Sequence, residues 1–116
     1  MNIDQGKLND FMGRFVHDLG AVMHAATIVA GDKLGLYKAL AEGPLTADEL
    51  AQRTETDARY VREWLSAQAA SGYVEYEPSG ERFGLSDEQA FALTVEGGPA
   101  FIPGAFDIAV AQFKAI

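Results

Sequence analysis

Residues 46–85 read TADELAQRTETDARYVREWLSAQAASGYVEYEPSGERFGL. Thr46-Ala47-Asp48-Glu49 has the Thr-x-x-Glu pattern of a capping box, in which hydroxyl and carboxylate satisfy free amides at a helix start. It predicts a short helix ending near Arg53, and then a Thr54-Glu55-Thr56 connector. Thr56 or Asp57 caps a second helix whose apolar face is Val61, Trp64, Leu65 and Ala69 and whose natural end is Gly72. Two short helices joined this tightly make a helix-turn-helix. After Gly72 the period changes to alternating. Tyr73 to Glu77 reads as a strand with Val74 and Tyr76 on one face, Pro78-Ser79-Gly80-Glu81 as a turn, and Arg82 to Leu85 as the return strand. Ser86 with Gln89 repeats the capping box, with Leu85 and Ala90 at the staple positions, so a further helix is expected to about Thr94. The order is that of a winged helix. The expected class is mainly α with a small β-hairpin, a winged helix-turn-helix preceded by N-terminal helices.

Toward the N-terminus, Leu8, Phe11, Met12, Phe15, Leu19, Val22, Met23 and Ala26 follow the i, i+3, i+4, i+7 spacing of one helical face. Gly20 is where a break would fall. The stretch Ala21 to Leu40 continues the period through Val22, Ala25, Val29, Leu36 and Leu40, but it is crowded with Ala25, Ala26, Ala30, Gly31 and Gly35. Side chains this small let another helix approach closely. A tightly packed core helix and an interface between subunits both account for them, and the two stay open here. Glu42-Gly43-Pro44 supplies a stop.

Toward the C-terminus, Gly97, Gly98, Pro99 and Pro103 mark a break or linker across Val95 to Pro103. From Gly104 the residues Phe106, Ala109, Val110 and Phe113 resume a helical period that is expected to run to Ile116. Nothing else in the chain is an obvious partner for that helix. The expected division is 1–94, N-terminal helices plus winged helix, and 95–116, a linker and the start of a helix leading onward.

Charge narrows the function classes. The chain has 116 residues, no Cys, nine Lys and Arg against seventeen Asp and Glu, and a net charge of -8. The length fits one domain, and the lack of Cys removes disulfide frameworks and thiol chemistry. Winged helices often read DNA through the second helix and a basic wing. Here residues 46–85 hold Arg53, Arg59, Arg62 and Arg82 against Asp48, Glu49, Glu55, Asp57, Glu63, Glu75, Glu77 and Glu81, a net of -4. A specific binder neutralises roughly 6 to 10 phosphates, so the balance argues against DNA. The first ten residues lack the apolar block of a signal peptide. Ala21 to Ala30 falls far short of the roughly 20 residues that cross a bilayer. A cytoplasmic location without membrane contact is the expectation.

His17 and His24 would share a helix face with Asp10, which suggests a ligand row until the distance is estimated. Seven residues rise about 10.5 Å, too far for one metal ion held roughly 2.1 Å from each nitrogen. The pair reads as a polar edge, with His17 or Asp18 facing a ligand cleft as the alternative. The chain has no Gly-x-Gly-x-x-Gly, Gly-x-Ser-x-Gly or phosphate loop. Gly31-Asp32-Lys33-Leu34-Gly35 lies in a helical pattern. No catalytic, metal or cofactor site is expected. Phe11, Phe15 and Tyr37 are either core residues or the lining of an apolar pocket.

Several runs together carry a family likeness. They are Asp18-Leu19-Gly20-Ala21, Gly31 through Leu40 (GDKLGLYKAL), Leu45 through Ala51 (LTADELA), Arg59 through Leu65 (RYVREWL), Gly72-Tyr73-Val74, Leu85 through Ala90 (LSDEQA) and Pro99 through Phe106 (PAFIPGAF). In this order they resemble the N-terminal winged-helix domain of bacterial class I S-adenosylmethionine-dependent methyltransferases. The resemblance implies a homodimer and a lid over the cavity for a small-molecule methyl acceptor, with S-adenosylmethionine bound by a separate Rossmann-like catalytic domain. The glycine-rich donor loop of that domain is missing here, so this chain alone is expected to be inactive. Combined with the small-residue helices, the resemblance makes Phe11, Phe15 and His17 lid candidates and Val22, Ala25, Ala26 and Val29 interface candidates. A winged-helix DNA-binding transcriptional regulator is the alternative, and an adaptor that binds another protein through the Ala-rich helices is a third.

Overall fold

The winged-helix order is present in the computed structural model, which describes residues 1–115. The elements are α1 (Gln5–Lys33), α2 (Leu36–Ala41), α3 (Ala47–Thr54), α4 (Ala58–Ala70), β1 (Glu75–Glu77), β2 (Arg82–Gly84), α5 (Asp87–Thr94) and α6 (Ile102–Ala115). Local chemistry sets most boundaries. Asp4 caps α1 by accepting from the Lys7 amide, and Asp57 caps α4 by accepting from the Tyr60 amide. Both expected capping boxes close: Thr46 N–H donates to Glu49 at 2.9 Å and Ser86 N–H donates to Gln89 at 2.8 Å. Gly35, at φ 75°, takes the left-handed conformation that turns the chain from α1 into α2.

Four expectations need correction. Helix α1 runs unbroken through Gly20, because a single glycine costs only about 1 kcal/mol in a helix interior and removes no hydrogen bond. The Gly31 to Gly35 stretch is not continuous helix but the α1–α2 joint. The last helix begins at Ile102 rather than Gly104, since Pro103 falls in the first turn, where no intrahelical N–H is needed. Nor does it lack a partner within the chain. It packs on α1 and α5 with Pro103 buried and Ile102 and Phe106 against the core, and Lys33 faces Asp107 at 3.8 Å. Ile116, where that helix was expected to end, lies outside the described residues.

The hairpin pairs Glu75 with Gly84, Tyr76 with Phe83 and Glu77 with Arg82. On its other side, Phe83 exchanges both backbone hydrogen bonds with Leu45, at 2.9 and 2.8 Å. The wing is thereby stitched to the entry of α3. Ile28, Leu36, Tyr37, Leu40, Leu50, Val61, Trp64, Leu65, Val74 and Leu93 form one core. On α1 only Ile28 and Gly31 are buried. Every α1 residue before His24 is exposed. The Cα radius of gyration is 16.9 Å, against about 13 Å for a compact 100-residue domain.

Candidate functional site

The site begins with the anchor that holds α1 on the body. Gln68, fully buried, accepts from the Tyr37 hydroxyl and donates to the Thr27 hydroxyl at 3.0 Å. Thr27 in turn donates to the His24 carbonyl at 2.7 Å, and its own carbonyl accepts from the Trp64 indole at 2.9 Å. Burial, reinforced by Tyr73 and Asp32, pushes the Tyr37 phenol well above its usual range and keeps it a protonated donor. At Gly31 an added Cβ would run into Trp64 and lie 2.8 Å from Tyr37. Glycine is needed there because α1 lies directly on those rings.

His24 sits where α1 leaves the body. Its ring stands edge-on to Tyr73 with centroids 4.6 Å apart, and its Nε2 is buried without a hydrogen-bond partner among the described residues. Desolvation holds its pKa below the ordinary 6.5, favouring the neutral ring.

Beyond that anchor α1 has two unlike faces. Leu8, Met12, Phe15, Leu19, Val22, Ala26 and Val29 alternate spacings of four and three, the repeat of a coiled-coil seam. The first five are between 40% and 54% exposed. The core-facing side, followed back from Gly31, Ile28, Thr27 and His24, continues as Gly20, His17, Gly13, Asp10 and Gly6, all exposed. A contiguous apolar stripe in water marks a partner surface.

Of the interface candidates, Val22 and Ala26 are exposed on the seam, while Ala25 and Val29 are half-buried where α1 begins to meet the body. Phe11 and Phe15, both exposed, lie on or beside the same seam, and exposed His17 lies on the opposite side. Of the lid candidates, Phe11 and Phe15 are thus neighbours on one helix, and His17 is set apart from them. Tyr37 does not join the two phenylalanines. It is wholly buried and packs its ring on Trp64 at 5.0 Å. The polarity of Gln68 and Thr27 sets them outside an apolar pattern, although Val61, Leu65 and Gln68 are spaced to share the buried side of one helix.

The positive charges of the helix-turn-helix face are largely paired. Each of its four arginines is taken by a carboxylate: Arg53 by Glu42 at 3.3 Å, Arg59 by Glu63 at 3.7 Å, Arg62 by Asp48 at 3.2 Å and Arg82 by Glu49 at 4.0 Å. The Glu49 carboxyl is held below its usual range chiefly by the Thr46 amide and hydroxyl. Exposed pairs of this kind add little stability. They are cheaply broken, so what weighs against phosphate binding is the excess of carboxylates across residues 46–85. A groove of about 520 Å³ lies between α4, the start of α3 and the wing. No helix is long and apolar enough to cross a membrane among the described residues.

Comparison with known proteins places this geometry. The model of a family described as the Rv2258c-like winged HTH domain matches residues 19–95. No curated protein sequence matches significantly. Among solved structures, the chain is similar to CalO1, a methyltransferase in calicheamicin biosynthesis in its SAH-bound form (28% identity, TM-score 0.66, 90% of this chain and 29% of that one). It is also similar to the N,N-8-amino-8-demethyl-D-riboflavin dimethyltransferase RosA from Streptomyces davawensis (26% identity, TM-score 0.65, 84% and 28%). A putative O-methyltransferase from Nostoc punctiforme shares the fold (20% identity, TM-score 0.70, 84% and 29%). The chain spans about three tenths of the length of these proteins.

Proposed function

The chain belongs to the Rv2258c-like winged HTH domain family, and on that premise we propose that it is the N-terminal dimerisation and substrate-covering domain of a cytoplasmic, bacterial S-adenosylmethionine-dependent methyltransferase. The observation that carries the reading is the unpartnered seam of α1, which stands off a complete winged-helix body. In a homodimer the seam of one copy buries that of the other. Val22, Ala25, Ala26 and Val29 form the part of this interface nearest the body. Phe11, Phe15 and His17, farther out, cover a small-molecule methyl acceptor held by the catalytic domain.

The methyl donor is assigned to that Rossmann-like domain. Nucleotide-type donors are held by a strand, a glycine-rich turn and a helix N-terminus. The one strand-to-helix passage among the described residues, β2 to α5, contains only Leu85 and Ser86 after the terminal Gly84 of the strand, and the Ser86 hydroxyl is occupied by the Gln89 amide. These residues do not fit the donor, and no step of methyl transfer is assigned to them. The regulator reading is disfavoured by the net charge of -4 across residues 46–85.

The coding sequence downstream of Ile116 tests the parent enzyme. A strand followed by a glycine-rich loop is expected, and a stop codon directly after Ile116 would overturn the reading. In the full-length enzyme, Phe15→Ala should raise KM for the acceptor several-fold; an unchanged KM removes Phe15 from the lid.

A further inference from the structure

The seam of α1 changes in bulk along its length. Its outer half carries Leu8, Met12, Phe15 and Leu19, and the half nearer the body carries the smaller Val22, Ala26 and Val29. Two copies related by a two-fold axis can lie along each other in either direction. In a parallel pair each seam residue meets its own copy, so Phe15 crowds Phe15 while Ala26 faces Ala26 across a gap. Packed helices keep one interaxial distance, and a close-packed interface sets large side chains against small ones. An antiparallel pair does so when Leu8 faces the partner's Ala26, Met12 the partner's Val22 and Phe15 the partner's Leu19.

The flanks of the seam favour the same direction. Val16 and Met23, 64% and 65% exposed, border it on one side, and Phe11 and Asp18 border it on the other. A parallel pair brings unlike flanks together and sets the Asp18 carboxylate beside the partner's Met23. Reversal brings like flanks together. Val16 then meets the partner's Val16, and bulky Phe11 meets the small Ala25 of the partner subunit. The two Asp18 side chains approach each other at the centre of the pair, and each lies one helical turn from an Arg14 that offsets its charge.

We propose that the α1 seams of two copies pair antiparallel, with the two-fold axis midway between Phe15 and Leu19. The pairing rests on the dimer reading and adds its direction and register.

The chain has no Cys, so one introduced cysteine carries one spin label per copy. Gly6, Gly13 and Gly20 recur every seven residues on the side of α1 turned away from the seam. Nothing lies within 4 Å of a Cβ added at Gly13 or Gly20, and at Gly6 only Asp4 Oδ1 does, at 3.3 Å. With a rise of about 1.5 Å per residue, the proposed pairing separates the two labels along the helix axis by about 33 Å for Gly6→Cys, about 12 Å for Gly13→Cys and about 9 Å for Gly20→Cys. Double electron–electron resonance on the whole chain should therefore give a Gly6→Cys distance about 10 Å longer than the other two, which should be nearly equal. Three equal distances would mean a parallel pair and overturn the proposal. A minimum at Gly13→Cys would move the axis beside that residue and overturn the facing of Leu8 with Ala26. The absence of any distance between labels would overturn the dimer reading together with its direction. If Gly6→Cys loses the Asp4 cap by circular dichroism, Lys7→Cys, with an axial separation of about 30 Å, takes its place.

Discussion

Gly31→Ala and Gly20→Ala make the same chemical change in the same helix and should have opposite effects. In either place alanine gains about 1 kcal/mol of helix propensity over glycine. At Gly20 nothing lies within 4 Å of the added Cβ, so that gain is kept. At Gly31 the new methyl overlaps the Trp64 ring and meets Tyr37 at 2.8 Å and Trp64 Cε2 at 3.0 Å. Both rings are in the core and cannot swing to solvent. Overpacking of this kind costs about 1–3 kcal/mol. Lifting α1 also stretches the 2.9 Å bond from Trp64 to the Thr27 carbonyl, worth about 1 kcal/mol. The net is a loss of about 2 kcal/mol, or roughly 10 °C in Tm for a chain of this size. Urea and thermal unfolding followed by circular dichroism measure it, with Gly20→Ala expected to hold or raise Tm and increase helicity. A Gly31→Ala protein as stable as the parent would refute the close docking of α1 on Trp64.

Other expectations follow from the same anchor and caps. Gln68→Ala removes two hydrogen bonds and strands the buried Tyr37 hydroxyl, so unfolding free energy should fall by about 3 kcal/mol; a loss below 1 would mean the network is dispensable. Because the folded-state pKa of His24 lies below 6.5, the unfolded chain takes up that proton first as the pH falls. The His24 contribution to stability is therefore complete above about pH 7 and declines on acidification below it. Unfolding midpoints from pH 8 to 5 check this, and His24→Phe should flatten that part of the profile. Thr46→Ala opens the capping box on α3 and should cost about 1 kcal/mol, read by urea denaturation. Titration of S-adenosylmethionine onto this chain in a calorimeter should give only heats of dilution.

What the sequence made legible was local. Thr46, Asp57 and Ser86 announce helix starts because a cap and its amide lie within three residues, and the alternation after Gly72 announces the hairpin. Contacts between distant segments were not legible. The Leu45–Phe83 bridge and the Arg62–Asp48 pair form only once the chain has folded back, and the polar chain from Tyr37 to Thr27 spans three helices. The apolar stripe of α1 was visible from spacing alone. That it stands in water was not, because this depends on the core ending at Ile28. The acidity of residues 46–85 could be counted in advance. The pairing of each arginine with a carboxylate could not, because most of the partners come from other elements.

The central claim is that the α1 seam joins two copies. Each half-exposed Leu or Val covered by a partner contributes about 1 kcal/mol, and two-fold symmetry counts each position twice. Light scattering coupled to size exclusion, on the parent and on the double variant Leu19→Asp with Val22→Asp, tests it most directly. The parent should show about twice the 12.5 kDa chain mass, and the variant, whose substitutions lie outside the core, should be a folded monomer. A parent that stays monomeric at high concentration, or a variant that stays dimeric, would contradict the claim.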